Sequence, residues 1–272
     1  MNINELRDFF INTEFFYYEK YLGVVRDIEY DNFRERYCIH LYEGSNCIDD
    51  EFFVQRSYML DYYINELRKI RLKFLRSRYI SRLVHFTPVS NLESILENGL
   101  LSRSALDYFN ISYVYSDFLR LDGKLDFISS SISFPNYRMF YTKRMEDTDV
   151  DWVILSIDSK ILIDKMDTQF YRTNCASNDP SKCRYNPCSN DALSDMFYND
   201  GRDPHLPFNY TTDPQAEVML KYEVQPSYIS CVETKEKNEK VHSLALNSGI
   251  SYNSRSNLFT YRQDYKKWQN IN

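Results

Sequence analysis

Apolar positions along this chain change period near residue 83. From residue 4 to about residue 22, Leu6, Phe9, Phe10, Phe16 and Tyr17 recur at three-to-four-residue spacing, which predicts a helix with one buried stripe. A second stripe, through Leu60, Tyr63, Ile64, Leu67, Ile70 and Phe74, predicts another helix over residues 55–79. Between them Tyr42, Glu43, Gly44, Ser45 and Asn46 read as a turn, because Gly and Asn tolerate unusual backbone angles. The first 82 residues are therefore expected to form a helical N-terminal extension.

At Leu83 the period drops to two. In LVHFT, Val84 and Phe86 fall on one face and His85 and Thr87 on the other, so a strand with a polar face is predicted. The next run, PVSNLESILENGLLSR, has helix start and stop signals: Ser90 as N-cap, Glu93 as its capping-box partner, and Gly99 past the end. FISSSISF alternates Ile128, Ser130, Ile132 and Phe134 with Phe127, Ser129, Ser131 and Ser133, a half-buried strand. WVILSID is continuously apolar and reads as a central strand. Residues 173–214 show little periodicity beyond ALSDMFYN and are expected to be a long functional loop. After it, AEVMLKYEV sets Val218, Leu220, Tyr222 and Val224 against Glu217, Met219, Lys221 and Glu223, which places Glu217 at the loop end of a rigid strand. Residues 233–272, with KEKNEK and an aromatic end at Trp268, read as a peripheral segment.

Composition narrows the class. The 272 residues suffice for one large domain or a domain with an appendage. No run of roughly 18 apolar residues occurs and MNINELRDFF lacks secretory-signal order, so no membrane partner and a cytoplasmic location are expected. Cys38, Cys47, Cys175, Cys183, Cys188 and Cys231 should then be free thiols. Cys175, Cys183 and Cys188 lack the short pairing that marks a zinc site, and no metal is expected. A net charge of −6 gives no global attraction to phosphates, so nucleic acid would need a local patch. Residues 68–82 supply one, with Arg68, Lys69, Arg71, Lys73, Arg76, Arg78 and Arg82 and no acid among them; a solvated helix face is the plain alternative.

Four segments, LVHFTPVSNLESILENGLLSR, DFLRLDG, SISFPNYRMFYTKR and TDPQAEVMLKYEV, resemble in order the motifs of the DarT family of nucleic-acid ADP-ribosyltransferase toxins. The resemblance implies an α+β fold with a split mixed β-sheet holding NAD in a cleft. It sets an ADP-ribosyltransferase catalytic domain at residues 83–232, between the extension 1–82 and the segment 233–272. It implies that His85 and Thr87 contact the ribose and adenylate side of NAD. Residues 91–99, with Asn91, Gly99 and the adjoining Leu100, would form the nicotinamide pocket. Arg120 would hold the pyrophosphate or steady the target base; a salt bridge to Asp117 or Asp122 is its structural alternative.

Glu217 matches the family's catalytic glutamate. A carboxylate suits that place because breaking the nicotinamide–ribose bond builds positive charge on the sugar, and the same group accepts the proton of an attacking base nitrogen. The acceptor would be a nucleobase of single-stranded DNA or RNA, presented unstacked. Arg71, Arg76, Arg78, Tyr137, Arg138 and His205 are the expected nucleic-acid contacts, with Phe197, Tyr198, Phe208 and Tyr210 as stacking groups. Family membership further implies an antitoxin partner and a toxin–antitoxin or phage-defence setting. The competing readings are a protein ADP-ribosyltransferase, an NAD glycohydrolase, and an inactive NAD- or nucleic-acid-binding module.

Overall fold

The structure, a computed structural model, describes residues 3–11, 13–17, 20–43, 46–114 and 123–268. The chain divides into two compact units, residues 1–69 and 70–272.

The first unit holds α1 (Ile3–Phe10), β1 (Glu14–Tyr17), β2 (Lys20–Asp31), β3 (Arg36–Glu43) and β4 (Asn46–Gln55), followed by the start of α2 (Arg56–Ser77). The strands form an antiparallel meander in the order β1-β2-β3-β4. Its core is made by Leu6, Phe10, Phe15, Val25, Ile28, Ile39, Leu41, Val54 and Met59. The purely helical reading of the extension is thus corrected. Both helices are there, but α1 stops at Phe10 and a sheet fills the interval to α2. The physical reason is that the β2 and β3 runs bury alternate residues, Ile28 facing Ile39 across the ladder, and a two-residue period wins once a partner strand is present. Of the expected turn, Glu43 and Asn46 pair across the β3–β4 hairpin, while Gly44 and Ser45 lie outside the described residues.

The second unit continues through β5 (Arg82–Pro88), α3 (Leu92–Asn98), β6 (Leu100–Leu101), α4 (Arg103–Tyr108), β7 (Phe127–Ile132), α5 (Tyr137–Glu146) and β8 (Trp152–Asp158). Then come α6 (Ile161–Asp164), β9 (Gln169–Tyr171), α7 (Asn190–Asp195), β10 (Glu217–Lys221), β11 (Glu223–Val224), β12 (Ile229–Glu233), α8 (Glu239–Asn247), β13 (Ser251–Asn253) and α9 (Tyr265–Trp268). A seven-stranded sheet runs β13-β12-β8-β5-β7-β10-β9. It is mixed, because β12 and β13 are parallel and the other neighbours antiparallel. β8 is the buried central strand its sequence predicts, with Val153, Ile154, Leu155 and Ile157 fully inside.

Three local features shape the site. β5 and β7 pair only at Leu83–Ile132 and Val84–Ser131, then part, so the sheet splits beside His85. Gly99 has φ +87°, and a Cβ there would meet the Val224 carbonyl oxygen at 2.6 Å; this closure of α3 against β11 demands glycine. Tyr222 adopts φ +60° and is half-exposed, which ends β10 at Lys221 and sends Val224 into a two-stranded ladder with β6. The continuous alternation expected to Val224 is therefore broken, because the Tyr222 backbone bonds Asp126 and Ser102 instead.

Candidate active site

Where β5 and β7 diverge, a cavity of about 290 Å³ opens. His85 and Thr87 of β5, Asn91, Gly99, Leu100, Ser129 and Glu217 all line it, together with Arg103 from α4. The strand period explains the convergence: His85 and Thr87 share one face of β5, Ser129 sits on β7, and Glu217 opens β10, the next strand.

Their hydrogen bonds run across the strands. His85 Nδ1 lies 2.7 Å from the Ser129 carbonyl oxygen. A carbonyl only accepts, so Nδ1 donates in this bond, and in the singly protonated tautomer Nε2 is the acceptor. Ser129 Oγ donates to Glu217 Oε1 at 2.9 Å. The Cys175 backbone N–H donates to Glu217 Oε2 at 2.8 Å. With 8% of its surface exposed, Glu217 keeps both oxygens engaged while still bordering the cavity. Such donors hold a carboxylate in one rotamer. Asn91 ties the far wall together: its amide donates to Thr87 Oγ1 at 3.0 Å and to the Val114 carbonyl at 2.9 Å, and its Oδ1 accepts from Val114 N–H at 2.9 Å. Because Asn91 serves that wall, and no capping bond forms at the start of α3, the capping box expected at Ser90 is corrected.

Positive charge near the site is used differently from the sequence expectation. Arg71 is fully buried; it donates to Asn190 Oδ1, the Leu162 carbonyl and the Cys188 carbonyl, each at 2.8 Å, and burial lowers its pKa to about 10. It is a structural clamp, which corrects its assignment to phosphate. Arg78 stacks over Phe197 at 4.9 Å, and burial lowers its pKa. Arg82 pairs with buried Glu233 at 2.9 Å. Lys69 pairs with Glu66. Arg76 and Lys73 are exposed. The run 68–82 is therefore no continuous cationic track, because a helix distributes neighbouring residues around its circumference.

The segment before Glu217 is likewise pinned from within. Lys182 Nζ donates to the Cys175 and Ser177 carbonyls at 2.8 and 2.7 Å, holding the turn whose N–H grips Glu217. Arg202 donates to the Tyr210 and Pro207 carbonyls, and buried Arg262 to those of Thr211 and Thr212 while pairing with Asp264 at 2.6 Å. Phe197 is 2% exposed and packs on Phe74, so it belongs to the core rather than to a stacking surface. Tyr198 lies under Arg172 at 3.8 Å and Tyr210 against Phe134, whereas Phe208 is 68% exposed. His205 is exposed on this segment, away from the cavity lining. Tyr137 is buried and Arg138 half-buried on α5; the cavity is lined from that helix by Met139 and, just before it, by Asn136. Arg120, with Asp117 and Asp122, lies outside the described residues.

Two cavity residues received no role in the sequence reading. Ser129 was legible as one hydroxyl of the polar face of FISSSISF, and Arg103 ends the segment LLSR, but only the fold shows that they meet Glu217 and the pocket. Among the described residues no cluster of three or more His, Cys, Asp or Glu is placed to hold a metal. Cys183, Cys188 and Cys231 are free thiols. No described helix is long and apolar enough to cross a membrane.

Comparisons with known proteins bear on this geometry. No curated protein sequence matches the chain. Among solved structures, similarity is found to Thermosipho africanus DarTG in complex with ADP-ribose, at 19% identity over 66% of this chain and 51% of that one, TM-score 0.45. It is also found to Thermus sp. 2.9 DarT in complex with NAD+, at 13% identity over 66% and 98%, TM-score 0.46. Thermus sp. 2.9 DarT in complex with ADP-ribosylated ssDNA gives 12% identity over 67% and 97%, TM-score 0.47. The chain thus spans about half the length of the Thermosipho chain and nearly all of the Thermus one. The family model "ssDNA thymidine ADP-ribosyltransferase, DarT" matches residues 84–257, well over half of the sequence. That sequence match decides the assignment: the chain belongs to the DarT family, a family of NAD-dependent ADP-ribosyltransferases.

Proposed function

We propose that this protein transfers ADP-ribose from NAD to a thymine of single-stranded DNA, with Glu217 as the catalytic carboxylate. The observation that carries the proposal is the placement of Glu217: a buried carboxylate fixed by Ser129 Oγ and the Cys175 N–H where it lines the cavity of the split sheet. The nicotinamide–ribose bond breaks, its electron pair leaves with neutral nicotinamide, and C1′ becomes oxocarbenium-like. Glu217 stabilises that charge more than it stabilises ground-state NAD. Thymine linked through N1 has one ring N–H, at N3; N3 attacks C1′ and Glu217 takes its proton.

Within this reading His85 and Thr87 bind the ribose and adenylate side through the acceptor Nε2 and the Thr87 hydroxyl, and the wall of Asn91, Gly99 and Leu100 receives nicotinamide. Arg103, a guanidinium in the cavity lining, is suited to the pyrophosphate, a task proposed also for Arg120. Catalysis is assigned to residues 83–232. The 1–82 extension and the 233–272 segment are additions to it, the latter supplying β13 to the sheet. DNA is preferred to RNA because the matched family acts on ssDNA thymidine. A cell that makes a base-modifying enzyme in its cytoplasm must restrain it, so an antitoxin partner in a toxin–antitoxin or phage-defence setting is part of the proposal. Incubation with labelled NAD and separate DNA, RNA and protein pools tests it. Label in thymidine-containing single strands is expected; label confined to RNA or protein, or release of nicotinamide with no labelled pool, would refute the acceptor.

A further inference from the structure

We propose that a tyrosine platform, built by α5 and the C-terminal segment, carries the stretch of single-stranded DNA flanking the target base. This rests on the reading of single-stranded DNA as acceptor and adds the surface that holds it. Tyr261 is the centre of the platform. It meets Tyr137 edge-on at 6.0 Å, Tyr141 at 5.7 Å, and Tyr265 in a near-parallel stack at 5.3 Å and 24°. Tyr137 is a buried foundation, 6% exposed, whereas Tyr141 and Tyr261 are 42% and 52% exposed. Exposed rings packed against one another in this way offer π-faces to nucleobases without regard to sequence, as strand-tracking surfaces do. Lys266 and Lys267 are exposed beside Tyr265. These cations match a phosphate backbone in sign, against a chain that is acidic overall.

α5 connects the platform to the cavity. Met139 lines the cavity, and at about 100° per residue Tyr141 lies on the other side of the helix. Between those faces, on the solvent side, fall Arg138 and Thr142, half-buried and exposed respectively. A strand leaving the cavity over α5 therefore meets a guanidinium on the ridge and then the tyrosines. Tyr137 and Tyr141 lie within the family match, and Tyr261 and Tyr265 beyond residue 257, where it ends.

The test uses the full chain, with Tyr141→Ala/Tyr261→Ala and, as the conservative control, Tyr141→Phe/Tyr261→Phe. Fluorescence anisotropy and transfer are measured with a thymidine-containing tetranucleotide and an oligonucleotide of about sixteen nucleotides, the span of known single-strand sites. The alanine pair is expected to weaken binding of the long strand roughly tenfold, within the range set by losing base stacking. Transfer to the tetranucleotide and the KM for NAD should be unchanged, and the phenylalanine pair should bind as wild type. Unchanged long-strand affinity in an alanine pair that melts at the wild-type temperature would overturn the platform. So would equal losses on both lengths. If the wild-type protein labels no DNA, the acceptor reading fails, and anisotropy on the long strand still decides the platform by itself.

Discussion

Glu217 is approached from two sides that achieve rigidity by different means. On the sheet side β5, β7 and β10 hold His85, Ser129 and Glu217 through backbone register, so position follows from the two-residue period. On the other side the irregular chain between β9 and β10 has few ladder bonds. There charged side chains cap carbonyls: Lys182 on Cys175 and Ser177, Arg71 on Cys188, Arg202 on Pro207 and Tyr210, Arg262 on Thr211 and Thr212. Arg71, Lys182 and Arg202 serve here as internal donors. Backbone left without a ladder still needs partners for its carbonyls, and a guanidinium supplies several at once.

The largest effect should come from breaking an internal clamp. Arg71→Gln leaves the Leu162 and Cys188 carbonyls short of donors in a fully buried position, at a cost of about 3 kcal/mol. For a chain of this size that is a fall of roughly 6–12 °C in melting temperature, read by calorimetry. A stable Arg71→Gln variant with weakened DNA binding would return this side chain to the phosphate track. Arg76→Gln, at an exposed position of the same helix, should leave the melting temperature unchanged.

Why one side was legible and the other was not follows from separation along the chain. The β5, β7, β8 and β10 runs announce themselves by local alternation, and Gly99 marks the end of α3 by its own backbone need. Glu217, His85 and Thr87 sit in such runs, whereas Asn91 is marked by the family resemblance alone; all four line the cavity. Arg71 meets Leu162, Cys188 and Asn190 across 91, 117 and 119 residues, and no window of sequence contains both ends of those bonds. The meander of the first unit was missed for a related reason: residues of β2 and β3 such as Ile28 and Ile39 are buried only once the strands pair and pack against Leu6, Phe10 and Met59, while Leu6, Phe9 and Phe10 already satisfy a helical spacing.

A middle-sized effect tests whether the clamps serve chemistry as well as stability. Lys182→Met frees the turn that presents the Cys175 N–H to Glu217. It should lower kcat about tenfold while leaving the KM for NAD within about twofold, the pattern of an interaction realised mainly in the transition state. Lys182→Arg should restore part of the loss. If both variants turned over as wild type, the sheet alone would be positioning Glu217.

The smallest effect is a pH dependence. Burial raises the pKa of Asp213, just before β10, against the lowering influence of the Gln215 N–H, Thr173 and Arg262. A carboxyl whose folded pKa lies above its unfolded value contributes stability below the ordinary carboxylate range and loses it as pH rises through the folded value. Asp213→Asn retains an acceptor for the Gln215 N–H and no longer ionises. The variant should therefore gain in melting temperature relative to wild type between about pH 3.5 and pH 7. A relative loss over that interval would show that the ionised carboxylate is needed by Arg262 or Arg138.

The most direct test of the account is single-turnover transfer from labelled NAD to a thymidine-containing single strand by Glu217→Gln. The substitution keeps the shape and one acceptor oxygen, which can serve the Cys175 N–H while its NH2 faces the Ser129 hydroxyl, but removes the charge and the base. The account predicts a loss of about a thousandfold in transfer with NAD affinity largely kept. Transfer within a fewfold of wild type would remove Glu217 from the mechanism.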